Sequence, residues 1–575
     1  MCRSFVSQSF HFLFLLYSKV CIANLQRPQE KGISANPMVR AIRRNYHANW
    51  FVDGLPSASI ENVVKDQSVL STTKYWHGFP IGYTAEKKAY INNHVNILLQ
   101  YHKVASESKY RIVRFTVEPI SIKHKFETSD SDDDSAVAEI NNPIPSCRDK
   151  STKHTTLEMR ENAQVTPQPA EGMVLFTYDV HWVENTEIVW ASRWDIYLTL
   201  ENGIPPKIHW VSITNSIVIV IVLSTMIAAV LVKNLRRDFE RYDVTLSDKE
   251  RAEEVDEFGW KLVHADVFRP PTFSPLLLSV FCGNGAQLLC MSFLTITFAA
   301  LGYMSPDKRG AILTILLANY ALMGIVAGYV SARFYKTFKG KSWQKVTTVT
   351  AMFVPSVAFA VFVFMNILAL AKGSSDAVPI VTMIQVLFMW FGLSVPLVFF
   401  GAYFGFKQDA IEFPVNTSSI PRQVPDQPFF LSLPFVLVVG GILPFGACFV
   451  ELWLIMNSLW MDMYYYVFGF LLITFFILVI TCAEITILFV YFHLTAENYH
   501  WWWRAFVIPG STGLYLFGYS WVYFLTLESN MFTTYALFFG YMGLISFAIF
   551  LMTGTIGVFS SLWFSKTIFG SIKID

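Results

Sequence analysis

The sequence predicts a polytopic α-helical membrane protein, with nine transmembrane helices behind an N-terminal, mainly-β, sandwich-like lumenal domain. Three observations predict it. Residues 1–211 hold 23 basic and 22 acidic side chains, whereas the 300 residues from 276 to 575 hold only 13 and 11. The whole chain is 53% hydrophobic and 15% charged, against about 25% charged residues in an ordinary soluble chain. The C-terminal part also contains apolar runs of roughly twenty residues or more, the length that crosses a ~30 Å hydrocarbon core. A single soluble enzyme is excluded. A net charge of +1 gives no support to nucleic-acid binding.

Taken in order, Met1 to Asn24 carries Arg3 and a short apolar patch from Phe10 to Tyr17, and reads as a weak signal or targeting segment. Residues 25–211 form the lumenal domain. Within 173–184, Val174, Phe176, Tyr178, Val180 and Trp182 point one way, while Thr177, Asp179 and His181 point the other. Residues 110–126 alternate similarly, with Phe115 and Val117 opposed to Arg114 and Glu118. Period-two segments between polar turns predict an antiparallel sheet, closed as a sandwich. Residues 127–172 read as a long loop bearing Asp130, Asp132, Asp133 and Asp134. Those aspartates lack the central glycine and terminal glutamate of an EF-hand, so a solvated acidic loop is expected rather than a calcium site.

The first span is 212–232, followed by a cytosolic segment, 233–275. An eight-helix membrane domain over 276–563 holds the runs 276–304, 310–334, 346–371, 379–404, 431–456, 464–492, 505–527 and 533–563, and 564–575 is a cytosolic tail. Basic loops stay on the cytoplasmic side. Seventeen Lys and Arg residues lie in the loops and tail on one face, among them eight in 233–275 and Lys336, Lys339, Lys341 and Lys345. The opposite short loops carry three: Lys308, Arg309 and Lys372. The N-terminus is therefore expected in the lumen and the C-terminus in the cytosol. The sequon Asn416-Thr417-Ser418 then faces the cytosol and stays unmodified. Trp190, Trp194 and Trp210 before the first span, and Trp501, Trp502 and Trp503 before the eighth, suit interfacial aromatic belts.

Catalytic and metal motifs fail. The chain lacks H-E-x-x-H and G-x-S-x-G, and Gly340-Lys341-Ser342 misses the earlier P-loop glycine, where Tyr335 stands. Neither the seven cysteines nor the twelve histidines have metal-ligand spacing. No catalytic residue, metal or cofactor is expected. Intramembrane polar residues say more. Glu484 sits mid-span in the seventh run, and Glu451 lies in the sixth, after the helix-loosening stretch Gly440 to Gly446. Asn284, Gln287, Asn319, Asn366 and Gln385 are further polar groups at membrane depth. A buried carboxylate costs a few kcal/mol unless neutralised or paired. The two glutamates therefore read either as proton-titrating or substrate-binding groups, or as protonated carboxyls hydrogen-bonded between helices; Glu451 is the one expected to be structural. Gly324 and Gly328, and Gly401 and Gly405, are G-x-x-x-G pairs that let backbones approach. Internal packing is favoured, with recognition of another protein's span as the second reading. Tyr335-Lys336-Thr337-Phe338 fits a tyrosine-type sorting signal but lies too tight against the membrane to be read as one.

Several strings together resemble one family. They are Trp190 to Asp195, Trp260-Lys261-Leu262-Val263-His264 continuing to Phe268-Arg269-Pro270-Pro271, Tyr335 to Phe338, Gly440 to Gly446, Thr481 to Thr486, Tyr499-His500-Trp501-Trp502-Trp503-Arg504, Thr553 to Gly557 and the terminal Lys573-Ile574-Asp575. The chain resembles the nonaspanins, a nine-transmembrane superfamily, from about Tyr46 to its end. The resemblance implies residence in Golgi and endosomal membranes and a role in localising other membrane proteins, some of them recognised through glycine-containing spans. The Lys-x-Asp terminus, Lys573 and Asp575 here, is similar to the family's signal for binding the COPI coat. Relative to the family, the lumenal domain reads as N-terminally incomplete. A channel or secondary transporter working through Glu484 is the competing expectation. The partners expected are a coat, membrane-protein clients and the lipid bilayer.

Overall fold

A computed structural model of the chain describes residues 37–43, 45–53, 55–63, 72–85, 88–103, 110–123, 166–170, 174, 176–188, 193, 206–243, 260–301, 311–371, 378–460, 468–525 and 532–571. The segment 1–24, the aspartates at 130–134, Cys147 and the terminal pair Lys573 and Asp575 lie outside the described residues. The chain divides into two compact units, Met1–Ile208 with Pro306–Arg309, and His209–Ser305 with Gly310–Asp575.

The first unit is mainly β. After a short helix α1 (Pro37–Arg43) come β1 (His47–Ala48), β2 (Phe51–Val52), β3 (Leu55–Pro56), β4 (Ala58–Val63), β5 (Thr72–His77), β6 (Phe79–Pro80), β7 (Gly82–Ala85), β8 (Lys88–Ile91), β9 (His94–Lys103), β10 (Tyr110–Ile120) and β11 (Thr177–Glu184). Five strands form one sheet in the order β11-β9-β10-β4-β5, and the others pair in three two-stranded ribbons. The large sheet is mixed rather than purely antiparallel. β9 pairs antiparallel with β10, but β11 runs parallel to β9 and β4 parallel to β10. Alternation predicts which face a side chain takes, not which strand lies alongside. The long segment between β9 and β11 permits the parallel return that a tight hairpin forbids. Phe115 and Val117 are buried as expected, whereas on β11 Thr177 is buried and Trp182 is 46% exposed. β11 is an edge strand, and its inward face is set by a hydrogen bond of 2.7 Å between Thr177 Oγ1 and His94 Nδ1 on β9. His94 Nε2 in turn lies 2.9 Å from Asn96 Oδ1. A buried polar network of this kind has no periodic signature in sequence.

In the second unit, the described residues of the nine apolar runs fall largely on helices. These are α2 (Pro206–Asp243), α3 (Pro275–Ala300), α4 (Ala311–Leu322) with α5 (Gly324–Thr337), α6 (Trp343–Ala371), α7 (Ile380–Met389) with α8 (Val395–Lys407), α9 (Leu433–Ala447) with α10 (Phe449–Trp460), α11 (Phe468–Thr495), α12 (Trp501–Phe524) and α13 (Phe532–Gly570). Among the described residues, seven helical segments are long and apolar enough to cross a membrane, and α9 is a shorter apolar helix. α2 has 38 residues, about 57 Å of helix, and so outruns a ~30 Å core. Among those seven segments α3 and α13 are the most buried, while most of the first span's side chains are exposed, as lipid contact requires. Trp260, Phe334, Trp501, Trp502, Phe506 and Phe569 anchor the core of this unit.

Three spans are not single helices, and each break has a local cause. α9 ends at Ala447 and α10 begins at Phe449, after Pro444 has removed a backbone donor. Between α7 and α8, Trp390–Ser394 widens into a π-turn just before Pro396. Met323 interrupts the third span at the residue before Gly324.

Candidate functional site

The expected site residues fall into separate places. Glu451 stands in the first turn of α10, just beyond the break at Cys448. It is 1% exposed and accepts a short hydrogen bond from the Ser216 hydroxyl of the first span. A carboxyl group at a helix N-terminus is favoured by the helix dipole. Here it also ties the first span to the broken sixth. The same junction carries an apolar seal of Val220, Ala447, Cys448 and Ile477. Glu484, on α11, is half-buried, and its Oε2 is buried with no hydrogen-bond partner. Seven residues of α11, about 10 Å of helix, separate it from Ile477, the residue packed at the Cys448 break. Gln287 donates to Tyr320 O at 2.8 Å, and Asn319 donates to Thr295 Oγ1 at 3.1 Å. Asn366 exchanges two bonds with Val378, at 3.2 and 2.8 Å. These amides stitch neighbouring helices together.

The four glycines face one another. A Cβ on Gly328 would lie 2.0 Å from Val398 O, and one on Gly401 would lie 2.0 Å from Ile325 O. Gly324 meets Val398 and Ser394, and Gly405 meets Ala332 and Tyr329. The two G-x-x-x-G faces thus fill each other between α5 and α8. Only hydrogen atoms allow carbonyls of the partner helix so close.

Beyond these residues, the most heavily bonded region is the end of the bundle that carries the basic loops. Three consecutive tryptophans open α12, and each indole N–H donates to a backbone carbonyl of the segment before α3. Trp501 reaches Val267 O at 2.8 Å, Trp502 reaches Arg269 O at 2.9 Å and Trp503 reaches Phe273 O at 2.6 Å. Trp501 and Trp502 are 0% and 2% exposed. They are buried pins, not the interfacial belt that composition suggested, because each indole finds a carbonyl of its own chain where lipid headgroups would otherwise serve. Arg422 extends the network, donating to Glu497 Oε2 at 2.7 Å and receiving the Tyr499 hydroxyl on its carbonyl at 3.1 Å. Arg269 Nε donates to Asp266 Oδ1 at 2.9 Å, and its Nη2 to Ser418 O at 2.9 Å. Lys336 donates to Phe406 O and Gln408 O at 2.9 and 2.7 Å, which closes the C-terminus of α8. Tyr335 and Phe338 are buried in the same end, so the tyrosine-type string is packing material.

A cavity of about 340 Å³ opens beside the tryptophans, lined by Arg269, Phe273, Leu433, His500, Trp503 and Arg504 among others. Burial, then the charges of Arg504 and Arg269, hold the His500 imidazole below its ordinary range, so the neutral ring is favoured there. Sequence reasoning passed over Arg504 and the indole pins. Their only signal was a run of tryptophans and an arginine at the mouth of a helix.

A bundle of apolar helices with intramembrane carboxyl groups, joined to a mainly-β N-terminal unit, defines a polytopic membrane protein. The sequence profile described as Endomembrane protein 70 matches residues 7–535. The chain therefore belongs to that family, the nonaspanins. It is 42% identical to Transmembrane 9 superfamily member 9 of Arabidopsis thaliana over 552 residues, covering 94% of this chain and 82% of that protein. With human Transmembrane 9 superfamily member 2 the identity is 41% over 551 residues, 92% of this chain and 78% of the relative. With human member 4 it is 38% over 544 residues, 93% and 81%. The profile match reaches further toward the N-terminus than Tyr46. No solved structure matches the chain.

Proposed function

We propose that this protein sorts or localises other membrane proteins in Golgi and endosomal membranes, with its N-terminal unit in the lumen and its C-terminus in the cytosol. Membership of the nonaspanin family over most of the chain carries the reading. The tail supports it. α13 runs to Gly570, so Lys573 and Asp575 fall within five residues of the end of the last helix. A lysine beside a side-chain carboxylate and the chain-end carboxylate is a compact charge pattern for complementary groups on the COPI coat. Clients would be bound by spans whose lipid-facing surfaces remain open, such as the first. The Gly324–Gly405 faces are occupied by each other.

The test compares proteins recovered with the intact chain and with the Lys573→Ala/Asp575→Ala variant. Tail-dependent recovery of coat components, with membrane-protein clients retained by both forms, is the expected result. Recovery of neither coat nor clients overturns the reading. A second reading, a channel or secondary transporter, is favoured by one observation: the unpartnered Oε2 of Glu484 within a span. It requires that Glu484→Gln abolish a pH-dependent flux in reconstituted vesicles.

A further inference from the structure

The cavity beside Trp503 joins features that share one electrostatic sign. α3, α9 and α12 all begin at its rim: Phe273 precedes the first, Leu433 opens the second, and His500 with Trp502 and Trp503 opens the third. None of the three helices has a side-chain cap, so the positive end of each helix dipole is left uncapped there, although a proline in the first turn of α3 and of α9 removes one amide donor from each. Arg504 adds a full charge. Its Nη1 donates to Leu431 O at 3.0 Å and lies 2.9 Å from His493 Nδ1. Among the described residues no carboxylate lies within ion-pair distance of it. Arg269 also lines the cavity, partly neutralised by Asp266. No acidic side chain lines the cavity. Phe273, Leu433 and Val507 give the wall an apolar stretch beside Thr272, Tyr499 and His500, and Phe273 is 67% exposed.

We infer that this cavity binds the phosphate of an anionic phospholipid, held by Arg504, Arg269 and the start of α12, with an acyl chain lying along Phe273, Leu433 and Val507. Helix N-termini and arginine forks are the two devices that bind phosphate in proteins generally. A basic pocket between spans at the membrane boundary is where lipid headgroups reach them. The apolar wall and the position where three spans start favour a lipid over a soluble phosphate. The site goes beyond the sorting role, and its test reads lipid rather than clients or coat.

The full-length protein is reconstituted in nanodiscs of phosphatidylcholine with a small fraction of phosphatidic acid. It is then stripped with detergent, and the lipid retained per protein is measured by mass spectrometry. Phosphatidic acid is expected to be retained selectively over phosphatidylcholine. Arg504→Gln lowers that retention roughly ten-fold, the size of one lost charge-assisted contact. Arg504 also holds Leu431, so a second variant guards against misfolding. Thr272→Glu, at an exposed position on the rim, places a negative charge in the site without removing any bond, and lowers retention to a similar extent while the unfolding midpoint stays at the wild-type value. Millimolar inorganic phosphate does not displace the lipid. Equal retention of both lipids, or wild-type retention by a folded Thr272→Glu protein, overturns the site. Displacement by inorganic phosphate overturns the lipid as its occupant.

Discussion

Replacing Gly328 by valine tests the closest helix contact in the bundle. A Cβ at this position lies 2.0 Å from Val398 O and 2.7 Å from Ala402 N, whereas ordinary contact begins near 3.4 Å. The obstacles are backbone atoms, which cannot swing aside like the end of a side chain. α5 and α8 must therefore part by roughly 1.4 Å, and overpacking of this kind costs about 1–3 kcal/mol. Valine's helix propensity returns only a few tenths of a kcal/mol relative to glycine, so the clash wins. The expected fall in unfolding midpoint is on the order of 3–6 °C. The buried thiols Cys282, Cys448 and Cys482 provide the assay, because a thiol-reactive fluorophore reports their exposure as detergent-solubilised protein is heated. Gly401 meets Ile325 O at the same 2.0 Å on the same interface. A separation that admits one valine relieves much of the other, so the double variant Gly328→Val/Gly401→Val costs less than the sum of the singles. An unchanged midpoint for Gly328→Val, or strict additivity in the double variant, would refute this packing.

Two further outcomes are expected. Trp501→Phe keeps most of the ring packing but removes the donor to Val267 O, leaving that carbonyl unsatisfied among buried neighbours; it costs about 1–3 kcal/mol in the same assay, and more than Trp503→Phe, whose bond is exposed. His500 is held below its ordinary 6.5 by burial and by Arg504 and Arg269, so the unfolded chain takes up its proton first and stability falls as pH drops below about 6.5. His500→Gln lacks this loss, so between about pH 7.5 and about pH 5.5 the wild-type midpoint drops further than the variant's; equal drops count against a depressed His500.

Apolar length alone marked the second unit as a bundle of membrane-length helices, seven of them long and apolar enough to cross a membrane among the described residues, because a span must be apolar whatever it packs against. Two strands of the large sheet, β10 and β11, were legible from alternation, and Phe115 and Val117 took the predicted face. What period two could not carry was strand order. The parallel pairing of β11 with β9 sets Thr177 against the buried His94, a contact that alternation does not mark. The glycine pairs marked a close approach, but only three-dimensional packing says that Gly328 and Gly401 serve the same one. Glu451 was read as structural, and the hydroxyl that meets it lies 235 residues away on the first span. The tryptophans misled because one composition serves both lipid interfaces and buried pins. Which it serves depends on whether backbone carbonyls of the chain itself stand within reach of the indole.

The tryptophan pins also set a schedule. Val267, Arg269 and Phe273 precede their indole partners by 234, 233 and 230 residues, and the carbonyls leave the ribosome long before the donors exist. At roughly 5–20 residues per second, this end of the bundle waits about ten to fifty seconds for α12. Spans two to seven must enter the bilayer while the segment that latches them is still open. A chain arrested or truncated before Trp501 would present that segment with its carbonyls unclaimed, a natural mark by which quality control could tell an unfinished bundle from a finished one.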